Sequence, residues 1–302
     1  MSQNSFKAAC IQMNSGTSVS DNMAAATELI RAAAARGAHY IQTPEMTTIV
    51  QQKRSALLEA IAPEQNNPSV TAFAKLAGEL KIWLHIGSMA VALPKSDGGP
   101  TIANRAFLFQ PDGNIAASYD KIHMFDVDLD SGESWRESRA YRAGSEAVLV
   151  EITSIPGQMR DQIQVQTSVK LGLSICYDLR FAALFRTYAQ AGAIVLGAPS
   201  AFTRQTGAAH WRVLQRARAI ENGAFMISAA QVGTHQDGRE TYGHSVIIDP
   251  WGTVLAEADG ENPGFITADI DPDLAKAARR KIPALTNDQP AILRLTTQSA
   301  AA

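Results

Sequence analysis

Residues 169–192, VKLGLSICYDLRFAALFRTYAQAG, pass from an apolar, β-branched run (Val169 to Ile175) through a cysteine into an amphipathic helical pattern that closes on Gly192. A chain that moves repeatedly from short apolar runs into helical periods can bury those runs only in sheet covered by helices. The same alternation recurs along most of the sequence. FKAACIQM (6–13) reads as a buried strand, and an alanine-rich helix follows it, capped by Ser20 or Asp21 and ending before Gly37. HYIQ (39–42) is a second strand, broken by Thr43-Pro44-Glu45. Pro68 opens a helix with apolar positions at Val70, Phe73, Ala74, Ala77 and Leu80, which stops at Lys81. IWLHIGSMAV (82–91) has no helical period and reads as strand, and NRAFLFQ and IAASYDKIH flank a turn at Pro111-Asp112-Gly113-Asn114, a hairpin.

In the second half, the polar stretch 126–146 reads as a surface loop with a short helical turn. Residues 153–167 interrupt two adjacent strands, as a hairpin extension or insertion. Past the cysteine come a strand at 193–199, a helix over 208–223, a strand at 224–230, a hairpin over 243–258 and a strand at 264–270. The helix DPDLAKAARRKI and a Pro- and Ala-containing tail close the chain. No Ser/Gly-rich linker divides it, so we expect one domain over residues 1–302, with a core of about 6–272 and a carboxyl-terminal extension over 273–302.

Composition removes several function classes. The chain has 302 residues, 46% hydrophobic content and a formal net charge of -2, without a long basic run or basic-aromatic stripe. Neither a nucleic-acid nor an anionic-membrane partner is expected. MSQNSFKAACIQM lacks the features of a signal peptide, and the only cysteines, Cys10 and Cys176, lie far apart. A cytoplasmic, reducing location is therefore expected, with Cys10 as a core residue.

Reactive residue types stand at three strand ends: Glu45 after HYIQTP, Lys121 after IAASYD, and Cys176 after LGLSI. A nucleophile at a strand-to-helix turn stands clear of the sheet, and the helix dipole is expected to favour its thiolate. A carboxylate could take the thiol proton, and an ammonium could stabilise thiolate and oxyanion. Each residue also has an ordinary reading: a packed cysteine, a solvated glutamate, a surface lysine. Spacing alone does not link the three.

QTPEM, YDKIHMFDVDL and GLSICYDLRF, in this order, resemble the nitrilase or carbon–nitrogen hydrolase superfamily, with further matching stretches at APSAF (198–202), HWRVLQRARAIENG (210–223) and TYGHSVIIDPWGTVLAE (241–257). The likeness runs from Lys7 to about Gln289. It implies an α/β fold, the four-layer α-β-β-α sandwich of two mixed sheets flanked by helices. It also implies a Glu–Lys–Cys triad: Glu45 as general base, Lys121 and the Tyr177 N–H at the oxyanion, Cys176 as nucleophile. Glu137 in ESRAYRAG is the implied second glutamate, positioning Lys121 and substrate. The chain departs from the family pattern at Arg142 and Ala182, where prolines are usual. Lys121→Ala is expected to be nearly inactive but folded.

Within the superfamily the sequence is most similar to the branch that holds deaminated glutathione amidases and omega-amidases. The implied substrate is a small anionic 2-oxo-acid amide, hydrolysed with water through a thioester. Deaminated glutathione ranks first, before 2-oxoglutaramate, N-carbamoyl amino acids or nitriles, and no cofactor is implied. Arg180 is a candidate cation for such a substrate, although an ion pair with Asp178 or Glu137 is the favoured reading. Phe202, Thr203 and Phe125 are candidate pocket walls; His210 and Trp211 start a helix and read as packing residues. His123 is assigned a structural role rather than that of the base. The resemblance also implies a homodimer or higher oligomer, with 178–191 and the carboxyl-terminal tail as contact elements.

Other classes fit less well. The six histidines (39, 85, 123, 210, 235, 244) have no metal-ligand pairing, and no GxGxxG or GxxxxGK occurs. A papain-like hydrolase would need His and Asn downstream of its cysteine, and no matching Asn is evident. A binding or scaffold protein of the same fold is the rival from a different class; it would leave Cys176 inert to iodoacetamide.

Overall fold

The computed structural model describes residues 5–94, 99–129, 132, 134–160 and 163–295. The first half contains β1 (Phe6–Gln12), α1 (Val19–Ala35), β2 (Tyr40–Gln42), α2 (Arg54–Ala60), α3 (Pro68–Leu80), β3 (Trp83–Ala92), β4 (Ile102–Phe109) and β5 (Ile115–Asp120). After these come β6 (Asp126–Asp128), β7 (Ser134–Arg136), β8 (Leu149–Arg160), β9 (Ile163–Leu173), α4 (Ala182–Gln190), β10 (Val195–Gly197), α5 (Arg204–Asn222) and β11 (Phe225–Ser228). The chain ends through β12 (Val232–Thr234), β13 (Glu240–Tyr242), β14 (Val246–Ile248), β15 (Val254–Glu257), β16 (Gly264–Ile270) and α6 (Pro272–Lys281).

Two six-stranded mixed sheets form, ordered β16-β1-β2-β3-β4-β5 and β15-β14-β11-β10-β9-β8. Alternation along each strand decides where its side chains go. From β1 and β4, Ala8, Cys10, Ala106 and Leu108 enter the core shared with the second sheet. Their neighbours Ala9, Ile11, Phe107 and Phe109 pack instead against Ile30 of α1 and Phe73 of α3. Both faces of the first sheet are therefore covered, so its strands read as continuous apolar runs. Phe185 of α4 and Trp211 of α5 join the core that contains the second sheet. The result is the four-layer α-β-β-α sandwich.

Several local expectations change. Ser18, not Ser20 or Asp21, caps α1, accepting from the Asp21 N–H. The 126–146 stretch is not simply a loop: β6 and β7 pair as a ribbon ahead of a 3-10 turn at Glu137–Arg139. The 153–167 segment keeps its expected form as a hairpin extension, its described residues pairing within β8 and β9. Thr203 caps α5, so that helix starts four residues before the expected 208, and His210 and Trp211 lie inside it. The short helix α2 and the hairpin β12–β13 lacked a periodic signal long enough to read. Residues 1–4 and, in the expected carboxyl-terminal extension, 296–302 lie outside the described residues.

Candidate active site

Glu45, Lys121 and Cys176 come from loops after three strands in two different sheets, and the sandwich brings them to one end of the sheets. β3 docks the Glu45 loop. A register shift between Ile86 and Met89 marks a bulge in β3, where Ser88 accepts from the Met46 N–H at 2.9 Å. Ser88 also exchanges backbone hydrogen bonds with Pro44 and Thr47. Gly87 is needed there, because a Cβ would sit 2.1 Å from the Thr43 carbonyl oxygen and 2.4 Å from Pro199 Cβ.

Cys176 opens a 3-10 turn over Cys176–Arg180, and α4 starts only at Ala182. The expected α-helix therefore does not start at the thiol, and a 3-10 turn separates the two. The cysteine adopts φ +50°, the left-handed region, and donates its N–H to the Pro199 carbonyl at 2.9 Å. Asp178, fully buried, fastens this elbow. It accepts from the Tyr119 hydroxyl (2.7 Å), the Ile175 N–H (2.8 Å) and the His123 N–H (3.0 Å). The His123 ring is 2.7 Å from Asp178 and stacks on Phe181 with centroids 3.5 Å apart. His123 thus belongs to the support of the elbow. The Tyr177 N–H, second in the turn, has no acceptor within it.

Lys121 is 2% exposed and lies between two carboxylates, donating to Glu45 Oε1 at 2.8 Å and to Glu137 Oε2 at 2.9 Å. A buried and a part-buried acid on one ammonium leave a net negative charge that needs further donors. Asn104 Nδ2 supplies one to each, at 2.9 Å to Glu45 and 3.1 Å to Glu137. The Ala201 N–H reaches Glu45 Oε2 at 2.9 Å, and the Phe125 N–H reaches Glu137 Oε2 at 2.7 Å. Asn104 was not singled out in the sequence; its only signal is an amide side chain inside the apolar strand IANRAFLF.

Electrostatics follow from this packing. Burial pushes the Cys176 thiol well above its ordinary value, and the Glu45 carboxylate beside it adds to the rise. Burial would also raise Glu45, but Lys121, with hydrogen bonds from Cys176 and Asn104, holds it below the usual carboxylate value. Burial acts to lower Lys121, yet Glu137 and Glu45 outweigh it and hold the ammonium well above its ordinary value. At neutral pH the trio rests as carboxylate, ammonium and protonated thiol, arranged for the carboxylate to take the thiol proton.

These groups open into a cleft of about 650 Å³ that Phe125, Tyr177, Arg180, Phe202 and Thr203 also line. The expected ion pair of Arg180 with Asp178 or Glu137 does not form, because backbone and side-chain donors already occupy both carboxylates. Arg180 instead lies over the rings of Tyr177 (5.7 Å) and Phe202 (5.3 Å) and contacts His210 Nδ1 at 3.2 Å. Phe202 is wedged edge-on against Trp211, and the Thr203 hydroxyl caps α5. Cys10 is fully buried in the core. Among the described residues no group of His, Cys, Asp and Glu could hold a metal ion, and no helix is long and apolar enough to cross a membrane.

A carbon–nitrogen hydrolase family model matches residues 7–280. The chain is 37% identical over 282 residues to the deaminated glutathione amidase of Synechocystis, covering 93% of this chain and 97% of that protein. It is 35% identical over 282 residues to the deaminated glutathione amidase of Mus musculus, covering 93% and 83%. The crystal structure of the C. elegans NitFhit protein matches with a TM-score of 0.80 at 31% identity, over 96% of this chain; the chain spans 66% of that protein's length.

Proposed function

The chain belongs to the carbon–nitrogen hydrolase family and is an amidase of that family; on that premise we propose that it cleaves the amide of a small 2-oxo acid, deaminated glutathione before 2-oxoglutaramate. The observation that carries the chemistry is the buried Glu45–Lys121–Glu137 cluster beside Cys176. Glu45 takes the proton from Sγ as sulfur bonds to the amide carbon, and the carbonyl π electrons move onto oxygen. Lys121 and the Tyr177 N–H receive that oxyanion. Collapse re-forms the carbonyl and breaks the C–N bond, and Glu45 gives its proton to the departing nitrogen. A thioester remains. Water then attacks it, giving its proton to Glu45; the C–S bond breaks, the acid leaves, and Glu45 returns the proton to sulfur. Glu137 holds Lys121 in place and charged throughout.

The substrate reading is supported by the names of the relatives and by the cations of the cleft. Arg180, spread over Tyr177 and Phe202, is the partner we assign to the carboxylate of the oxo acid. We also propose that the chain self-associates, as Val213 and Ile220 of α5 are 69% and 51% exposed; sedimentation at micromolar concentration would test this. The deciding assay measures amine or ammonia release and acid formation from deaminated glutathione, 2-oxoglutaramate, N-carbamoyl amino acids and simple nitriles. The oxo-acid amides are expected to be preferred by kcat/KM. Preference for a nitrile or carbamoyl compound over both would overturn the substrate reading and leave the cluster's chemistry in place.

A further inference from the structure

The cleft wall carries a row of aromatic rings. Trp135 and Phe125 have centroids 6.2 Å apart, and Phe125 and Tyr177 5.1 Å. An arginine stands against each end of the row: Arg180 over Tyr177 at 5.7 Å, and Arg239 over Trp135 at 4.8 Å. Among the described residues four arginines line the cleft. Arg136 is spent on a two-pronged ion pair with Asp128, at 2.8 Å on each oxygen, and Arg54 is exposed to water.

Arg239 differs from both. Its Nε is buried and has no hydrogen-bond partner among the described residues, and no acidic side chain there pairs with its guanidinium. Its backbone is fixed in the turn before β13, where its carbonyl accepts from the His235 N–H at 2.8 Å and its own N–H donates to Asp237 at 3.0 Å. That turn is anchored in the body of the protein through His235, whose ring nitrogens contact the Ser15 carbonyl and the Thr241 hydroxyl, each at 2.8 Å. The neighbouring Glu240 carboxylate is directed to Arg204, 3.8 Å away. A buried guanidinium donor without an acceptor is costly. One held by a ring face keeps its edge free, with the planar fork that fits a carboxylate.

We propose that Arg239, stacked on Trp135, binds a second carboxylate of the substrate, so that the cleft selects an extended dianion with one carboxylate on each side of the scissile amide. Arg180 takes the carboxylate of the acyl part, and Arg239 takes the one carried by the leaving amine. The inference rests on the oxo-acid-amide reading above. It separates that reading's two leading substrates, because deaminated glutathione has a terminal carboxylate on its leaving group and 2-oxoglutaramate has none.

The test compares kcat/KM for deaminated glutathione with that for the analogue whose terminal carboxylate is converted to a carboxamide. Wild type should prefer the free carboxylate, and Arg239→Gln should reduce that preference by about 10- to 100-fold, mainly through KM. Arg239→Lys should lie between. A preference unchanged in Arg239→Gln, or absent in the wild type, overturns the proposal; the wild-type comparison holds whether or not the variant folds. If the wild type cleaves neither compound, the substrate reading fails. The anchor is then judged by calorimetric binding of deaminated glutathione to Cys176→Ala with and without Arg239→Gln. A loss of tenfold or more supports it, and equal or absent binding overturns it.

Discussion

Lys121 Nζ lies 2.8 Å from Glu45 Oε1, with the two side chains 2% and 6% exposed. This contact joins the first sheet's β5 end to its β2 end, and it keeps the acid beside the cysteine ionised despite its burial. Mutational consequences follow from how little water reaches it.

Glu45→Gln keeps the shape and the Asn104 neighbour but removes the proton acceptor. Turnover should fall by about 10²- to 10⁴-fold, with far-UV circular dichroism unchanged. The alkylation rate of Cys176 by iodoacetamide should fall with it, while Cys10, 0% exposed, stays unlabelled until the protein unfolds. Wild-type alkylation kinetics in this variant would remove Glu45 as the base.

Lys121→Ala should lose at least about 10²- to 10³-fold in turnover, the cost of an oxyanion donor. Burial between two carboxylates adds a stability loss of about 3–5 kcal/mol to the inactivity expected from sequence. Urea unfolding would measure it, and adding Glu137→Gln should recover part, since one unpaired acid is then gone.

The pH dependence has a definite sign. Glu45 is held below its ordinary 4.5, so kcat/KM should stay level from neutral pH down past that value before falling. An acid limb at about 6.5, the ordinary imidazole range, would place a histidine in the role instead. For stability, the Glu45 contribution is present above 4.5 and lost as pH falls through its depressed folded value. The Lys121 contribution is present below 10.5 and lost as pH rises through its elevated folded value.

Cys176 adopts φ +50°, a region that costs a residue with a Cβ about 1–2 kcal/mol. Cys176→Gly should therefore unfold at higher urea concentration than Cys176→Ala, although both are inactive. The reverse order would mean that the elbow stores no backbone strain.

Gly87→Ala places a methyl 2.1 Å from the Thr43 carbonyl. We expect a loss of about 1–3 kcal/mol by urea unfolding, together with reduced kcat, because the displaced segment leads into Glu45. An unchanged kcat would show that the bulge in β3 does not position the Glu45 loop.

The elements legible in the sequence were those with a long, clean period: β1, α3, the β4–β5 hairpin and β16. Helix α2 and the strands of β12–β13 were not, because seven residues or three residues give too few turns or alternations to stand above chance. The boundary of α5 moved because Thr203, not a periodic apolar residue, starts it. Glu45, Lys121, Cys176 and Glu137 could be placed because each sits in a local motif. Asn104 and Arg239 could not, because what distinguishes them is whom they meet across the sandwich.

The sequence by itself determined the alternation of strands and helices and the three strand ends that carry a carboxylate, an ammonium and a thiol. These depend on neighbours along the chain. Only the tertiary structure decided that burial holds the thiol's pKa up, that one lysine serves both Glu45 and Glu137, and that Arg180 and Arg239 lie against aromatic rings of one cleft. Those properties depend on exclusion of water and on charges supplied by residues far apart in the chain, as Glu45 is from both Lys121 and Cys176, so no local window of sequence contains them.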